Sequence, residues 1–98
     1  MNAPSLEALR ARRGEILAIA QRRGAIAVRV FGSVARGEAG PGSDVDLVVE
    51  FRPGTSLLDH GGLIMDLQEA LGCKVDVLSL RGLRERMRAR VNAEAVAL

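Results

Sequence analysis

The feature that most constrains this chain is the alternation of acidic and apolar residues in Asp44-Val45-Asp46-Leu47-Val48-Val49-Glu50-Phe51. Side chains on an extended strand point to alternate faces, so Asp44 and Asp46 share one face while Val45, Leu47, Val49 and Phe51 share the other. Neighbouring carboxylates repel each other and resist desolvation, and a strand otherwise this apolar needs compensation to carry them. A divalent cation is the usual compensation. A third carboxylate, Asp76, lies in a second short apolar run, Lys74-Val75-Asp76-Val77-Leu78, which also reads as a strand. Three acids on neighbouring strands beside the turn Gly32-Ser33 point to a Mg²⁺ site that handles a nucleoside triphosphate.

Residues two apart on a strand stand about 6.6 Å apart along its axis, close enough for their carboxylates to converge on two metals separated by roughly 3.5 to 4 Å. That spacing suits phosphoryl-type transfer. Mg²⁺ prefers oxygen ligands and keeps several waters, so a few carboxylates plus substrate phosphates fit it better than they fit zinc, and no cluster of Cys or His competes. The pattern Asp-x-Asp is short, and taken alone it equally describes a loop-capping Asp44 and an exposed Asp46 on an edge strand.

Gly32-Ser33 ends one strand and opens a helix, where backbone N–H groups and the helix dipole favour an anion. Its hydroxyl and backbone are candidates for the terminal phosphates. Arg36, one turn further on, either reaches a phosphate from the same side or faces solvent. No Gly-x-x-x-x-Gly-Lys-Ser/Thr or Gly-x-Gly-x-x-Gly is present, which removes the commonest phosphate-binding alternatives. His60, with no second His or Cys nearby, reads as a surface or capping residue. Glu50 shares the aspartate face but lies outside the candidate site, and Cys73 reads as a small buried hydrophobe.

The length of 98 residues predicts one domain spanning 1–98, and the hydrophobic fraction of 48% is enough for a core. The single Cys73 and the lack of a leader or long apolar span lead us to expect a soluble, cytoplasmic chain without a membrane role. A net charge of +2 conceals an asymmetry: residues 1–30 are net basic, 31–79 net acidic and 80–98 net basic. The acids therefore gather where the candidate site lies. With no Trp, no Tyr and only Phe31 and Phe51, the chain has almost no surface on which to stack bases, which argues against direct binding of nucleic acid.

Periodicity predicts a helix from Ser5 to Gly24, a strand over 25–31, a short helix over 34–37 and a strand over 44–51. A helix capped by Ser56 and Asp59 follows, carrying Leu63, Ile64, Leu67, Ala70 and Leu71 and closed by Gly72. The strand of Asp76 and a helix from about Leu83 complete the chain. The fold class expected is α/β, a small sheet with helices packed on it. Five arginines within residues 81–90 alternate with Leu83, Met87 and Val91, an apolar and basic surface expected to receive a partner.

Gly32-Ser33-x-Ala35-Arg36-Gly37, Ser43-Asp44-x-Asp46-Leu47, Val49-Glu50-Phe51-x-Pro53-Gly54-x-Ser56 and Val75-Asp76-Val77-Leu78 together resemble the minimal nucleotidyltransferase family of the polymerase-β-like superfamily. The similarity runs from about Val28 to the C-terminus. The resemblance implies a mixed sheet flanked by helices in the nucleotidyltransferase fold, Mg²⁺ and ATP. It also implies an antitoxin that transfers AMP to a tyrosine of a HEPN-type toxin. On this reading Asp44, Asp46 and Asp76 are both metal ligands and catalytic residues, with Gly32, Ser33 and Arg36 on the nucleotide. The rivals are an antitoxin that only binds and a nucleotidyltransferase acting on a small molecule or RNA. Homo- or hetero-oligomers are both compatible with the sequence.

Overall fold

Runs of β-branched residues build the sheet, because such side chains pack well on a pleated surface. In the computed structural model, which describes residues 3–98, they form β1 (Ala25–Phe31), β2 (Val45–Phe51) and β3 (Val75–Ser79), joined by a short β4 (Val96–Ala97). The sheet order is β3-β2-β1-β4. β1 pairs antiparallel with β2 and β4, whereas β2 and β3 run parallel. A parallel pair needs a long crossover, and α4 (Leu57–Leu71) supplies it. The mixed sheet flanked by helices matches the expected α/β class.

One face of the sheet holds the main core. Val30, Val45, Leu47, Val49, Val75 and Val77 pack there against Leu9 of α1 (Leu6–Ala11), Ile16 and Ile19 of α2 (Arg13–Arg22), and Leu63, Leu67 and Leu71 of α4. The other face is covered only in part, where Phe31 and Val48 meet Val91 of α5 (Glu85–Glu94). Leu83 and Met87 join this second cluster, and the Arg90 guanidinium lies 5.9 Å from the centre of the Phe31 ring. The apolar stripe of the last helix is therefore covered by the protein's own sheet. That corrects the expectation that it awaits a partner, although Arg81, Arg84, Arg86, Arg88 and Arg90 are all exposed.

The short helix runs over Gly32–Arg36 instead of 34–37 and β2 starts at Val45 instead of Asp44, and two further boundaries differ from the sequence reading for local reasons. The expected first helix divides at Arg12, whose side chain donates to the Ala70 carbonyl at 2.7 Å and to Glu15 at 2.8 Å. The break ties the start of α2 to the end of α4. A short 3₁₀ turn, Leu80–Gly82, separates β3 from the last helix, which starts at Glu85 instead of Leu83. The expected caps of α4 are in place: Ser56 and Asp59 form a reciprocal capping box, and Gly72 closes the helix with φ +68°.

β3 is an edge strand, and its outer rim is partly closed. Val45 N–H donates to the Lys74 carbonyl at 2.9 Å, which turns the alternate backbone groups of Val75 and Val77 away from β2. Side chains of α4 meet both. Val75 N–H donates to Gln68 Oε1 at 3.2 Å, and His60 Nε2 donates to the Val77 carbonyl at 2.8 Å. His60, stacked obliquely on Phe51 at 5.4 Å, is thus a structural edge cover and not merely a surface residue. Among the described residues, no helix is long and apolar enough to cross a membrane.

Candidate active site

The candidate residues gather where β1 ends and β2 and β3 begin. Phe31 at the end of β1 is the cross-strand partner of Asp46, and Asp46 is the partner of Asp76 in the parallel ladder. Directly paired residues share a face, so the two carboxylates stand side by side on the face opposite the main core. Asp44 immediately precedes β2 and is half-buried. The alternation read from the sequence is thus reproduced, with Asp44 on the loop side of the strand boundary.

Gly32 forms the floor beside Asp46. Its φ of +71° belongs to the left-handed region, and a Cβ there would run into the Asp46 carboxylate. Glycine at this position therefore meets two requirements, one conformational and one steric. Ser33 follows, half-buried, in the first turn of α3 (Gly32–Arg36). Gly37, with φ +74°, ends that turn, and the Glu38 N–H donates to the Ser33 carbonyl at 2.9 Å.

Burial pushes the Asp46 carboxyl above its ordinary range, the Asp76 and Asp44 charges add to the rise, and Arg36 and Lys74 partly oppose it. The local field at Asp46 is thus short of positive charge. Arg36 cannot supply all of it, because its guanidinium pairs with Glu38 at 2.7 Å and approaches Glu94 of α5 at 3.7 Å. The arginine is solvent-exposed and still within electrostatic reach of Asp46, so the two readings of Arg36 are not exclusive. Lys74 was passed over in the sequence. Its Nζ lies 3.7 Å from Asp44, and its place two residues before Asp76 is the signal that would have found it.

The donor set fits a hard divalent cation: every candidate ligand is a carboxylate oxygen, and the cluster carries more negative charge than its neighbours neutralise. Among the described residues, no three His, Cys, Asp or Glu side chains close into a ready-made cage. Mg²⁺ itself keeps several waters and takes phosphate oxygens alongside one or two carboxylates. Glu50, four residues beyond Asp46, lies in a cleft at the other end of β2 together with His60, away from the carboxylates.

Comparison with known proteins identifies the family. The model of the nucleotidyltransferase domain family matches residues 14–97. A chain of Methanocaldococcus jannaschii, provisionally named a protein adenylyltransferase, is 40% identical over 82 residues, covering 84% of this chain and 88% of its own. The protein adenylyltransferase MntA of Thermococcus cleftensis is 38% identical over 76 residues, covering 78% of this chain and 77% of its own. A solved structure, provisionally described as a minimal nucleotidyltransferase, superposes with a TM-score of 0.86 at 53% identity over 96% of each chain. The fold also recurs in tri-AMPylated Shewanella oneidensis HEPN toxin in complex with MNT antitoxin, at a TM-score of 0.70 and 18% identity, covering 90% of this chain and 69% of that one. With the carboxylates of β2 and β3 set beside the Gly32-Ser33 turn on this sheet, the chain belongs to the nucleotidyltransferase domain family and, within it, to the minimal nucleotidyltransferases.

Proposed function

We propose that this chain is a protein adenylyltransferase that moves AMP from ATP to a tyrosine hydroxyl of a HEPN-type toxin, and so acts as its antitoxin. The observation that carries the reading is the pairing of Asp46 with Asp76 on one face, beside the glycine floor at Gly32. The names of the relatives and the HEPN complex among the fold neighbours support the choice of donor and acceptor.

Asp44, Asp46 and Asp76 would hold Mg²⁺, which neutralises phosphate charge and stabilises the pyrophosphate leaving group. Gly32 lets the backbone approach the β- and γ-phosphates, and Ser33 offers them its hydroxyl. Arg36 contributes positive charge on the same side. Asp76 accepts the proton of the acceptor hydroxyl as its oxygen attacks the α-phosphorus, and the bond to pyrophosphate breaks. The sequence contains no tyrosine, so a tyrosyl product must lie on another molecule.

The test is intact-mass spectrometry of a HEPN-type toxin after incubation with this protein, ATP and Mg²⁺. A gain of one or more AMP units is expected. Asp46→Asn should lose both ATP binding and transfer, whereas Asp76→Asn should keep much of the binding and lose transfer. A toxin neutralised without gaining mass would overturn the reading in favour of an antitoxin that only binds.

A further inference from the structure

Beyond the carboxylates, a second concave surface opens at the far ends of β2 and β3. This cleft has a volume of about 680 Å³ and lies between the β2–α4 loop, the 3₁₀ turn and α5. Arg52, Arg81 and Arg88 line it against a single carboxylate, Glu50. Among the described residues none of the three guanidiniums is ion-paired. Arg52 and Arg88 only lean on backbone carbonyls, at 3.4 Å to Gln21, 3.4 Å to Leu80 and 3.5 Å to Leu83. Guanidinium groups have their best partners in carboxylates that accept two parallel hydrogen bonds.

The rim of the same cleft is apolar. Leu57 lines it, and Leu57 and Leu58 are 89% and 85% exposed, the two most exposed large hydrophobic side chains described. The capping box of Ser56 and Asp59 fixes the first turn of α4 and so fixes both leucines in water. Apolar anchors beside arginines make up the composition of protein interfaces, and adjacent exposed leucines need cover. Nucleic acid suits the cleft poorly. Its one aromatic ring, Phe51, is occupied by His60, and the capping box already uses backbone donors at the start of α4.

We infer that this cleft is the docking groove for an acidic segment of the acceptor protein, anchored by apolar contact with Leu57 and Leu58. The inference rests on the reading of the chain as a protein adenylyltransferase. Four residues along β2 separate Asp46 from Glu50, about 13 Å at the rise of a strand. α5 spans the same stretch in the opposite direction, from Arg88 at the cleft to Glu94 against Arg36 beside the carboxylates. A partner laid along α5 therefore fills the cleft and presents its hydroxyl to Asp76 at once. Recognition is thereby separated from chemistry: the acceptor is held at one end of the strands and modified at the other.

The experiment measures binding of the HEPN-type toxin that serves as acceptor by calorimetry without ATP, and its KM and kcat in AMP transfer. The variants are Arg81→Glu with Arg88→Glu, Leu57→Asp with Leu58→Asp, and Arg81→Lys with Arg88→Lys as the conservative control. Both disruptive pairs should weaken acceptor binding and raise its KM tenfold or more, leaving kcat and ATP affinity within twofold. The lysine pair should recover most of the affinity. A smaller change in acceptor affinity overturns the inference, as does a parallel loss of ATP affinity or tight binding of a twelve-nucleotide oligouridylate at the cleft. Wild type that binds the acceptor here but transfers no AMP overturns the adenylyltransferase reading and leaves the groove standing. Transfer that continues at the wild-type KM in the variants does the reverse, and an acceptor that is neither bound nor labelled overturns both.

Discussion

The two faces of β2 obey opposite rules. On one, Val45, Leu47 and Val49 are fully enclosed by helices, and every neighbour favours the same apolar packing. On the other, Asp46 sits half-buried beside Asp76 and near Asp44, in a field that penalises its charge. One strand of seven residues thus carries one face that is apolar throughout and another where Val48 is buried against α5 while Asp46 is held against its charge. The candidate site takes the end of that second face, beyond the part that Val48 closes against α5, and stability and activity commonly compete within a site.

The largest effect should come from breaking the enclosed face. Leu47→Ala removes a buried side chain from the main core and should destabilise the fold by about 2–5 kcal/mol, read as a drop in the thermal midpoint of more than about 10 °C. Below that midpoint the variant should bind ATP with Mg²⁺ as the wild type does. A loss of nucleotide affinity in the folded variant would mean the two faces are not separable.

Gly32→Ala tests the seam between them. The left-handed backbone alone should cost about 1–2 kcal/mol, and the new Cβ would also displace the Asp46 carboxylate. Gly37→Ala supplies the contrast. With φ +74° and no atom within 4 Å of the added Cβ, it should show a similar melting penalty while keeping nucleotide binding. Equal nucleotide affinity in the two variants would contradict the role of Gly32 as the floor of the site.

Asp46→Asn should do the opposite of Leu47→Ala: abolish Mg²⁺-dependent ATP binding and raise stability by about 1 kcal/mol, a few degrees in the melt. The sign follows from the raised pKa of Asp46. The folded chain holds this proton to a higher pH than the unfolded chain does, so the stabilisation linked to it is complete below the unfolded value and lost as pH rises through the folded one. The melting advantage of the variant should therefore be absent in acid and open as pH rises. A gap that is constant with pH would remove charge repulsion as its cause.

The smallest effect concerns a pair remote from the site. Arg23 and Asp66 join the end of α2 to α4 at 2.9 Å, and that hydrogen bond together with the guanidinium charge holds the Asp66 carboxyl below its ordinary range. Its contribution is present above the unfolded value and fades as pH falls through the folded one, the mirror image of Asp46. Asp66→Asn should lower the thermal midpoint slightly at neutral pH, by less than any change above, and not at all in strong acid. Both side chains are about one-third exposed, so added salt should shrink the difference further.

Much of this arrangement was legible because period and punctuation agreed. β1 runs over the residues its alternation predicts, β2 begins one residue after Asp44, and Ser56, Asp59 and Gly72 frame α4 as their capping chemistry requires. What escaped depends on contacts distant in sequence. β4 is two residues long, too short for any period, and exists through its pairing with Arg29 and Val30. Arg12 breaks a continuous helical pattern to reach Ala70, 58 residues away. His60 lies on the stripe of Ile64, Leu67 and Leu71, and a polar residue on an apolar stripe needs a partner. That was the available clue to its bond with Val77. The cover over Leu83, Met87 and Val91 was hidden because Phe31 and Val48, which provide it, belong to strands whose other residues serve the site and the main core.

The closure of β3 by Gln68 and His60 also gives the sheet a direction of growth. With the Val75 N–H and the Val77 carbonyl taken by α4, a new strand finds the regular ladder interrupted on that side. Beyond β1, only two residues of β4 stand in the way. A larger architecture descended from this module, or a fusion engineered onto it, has room to widen past β1. Its carboxylates would stay on the last two strands of the opposite margin, where a bulky acceptor reaches them without threading through the addition.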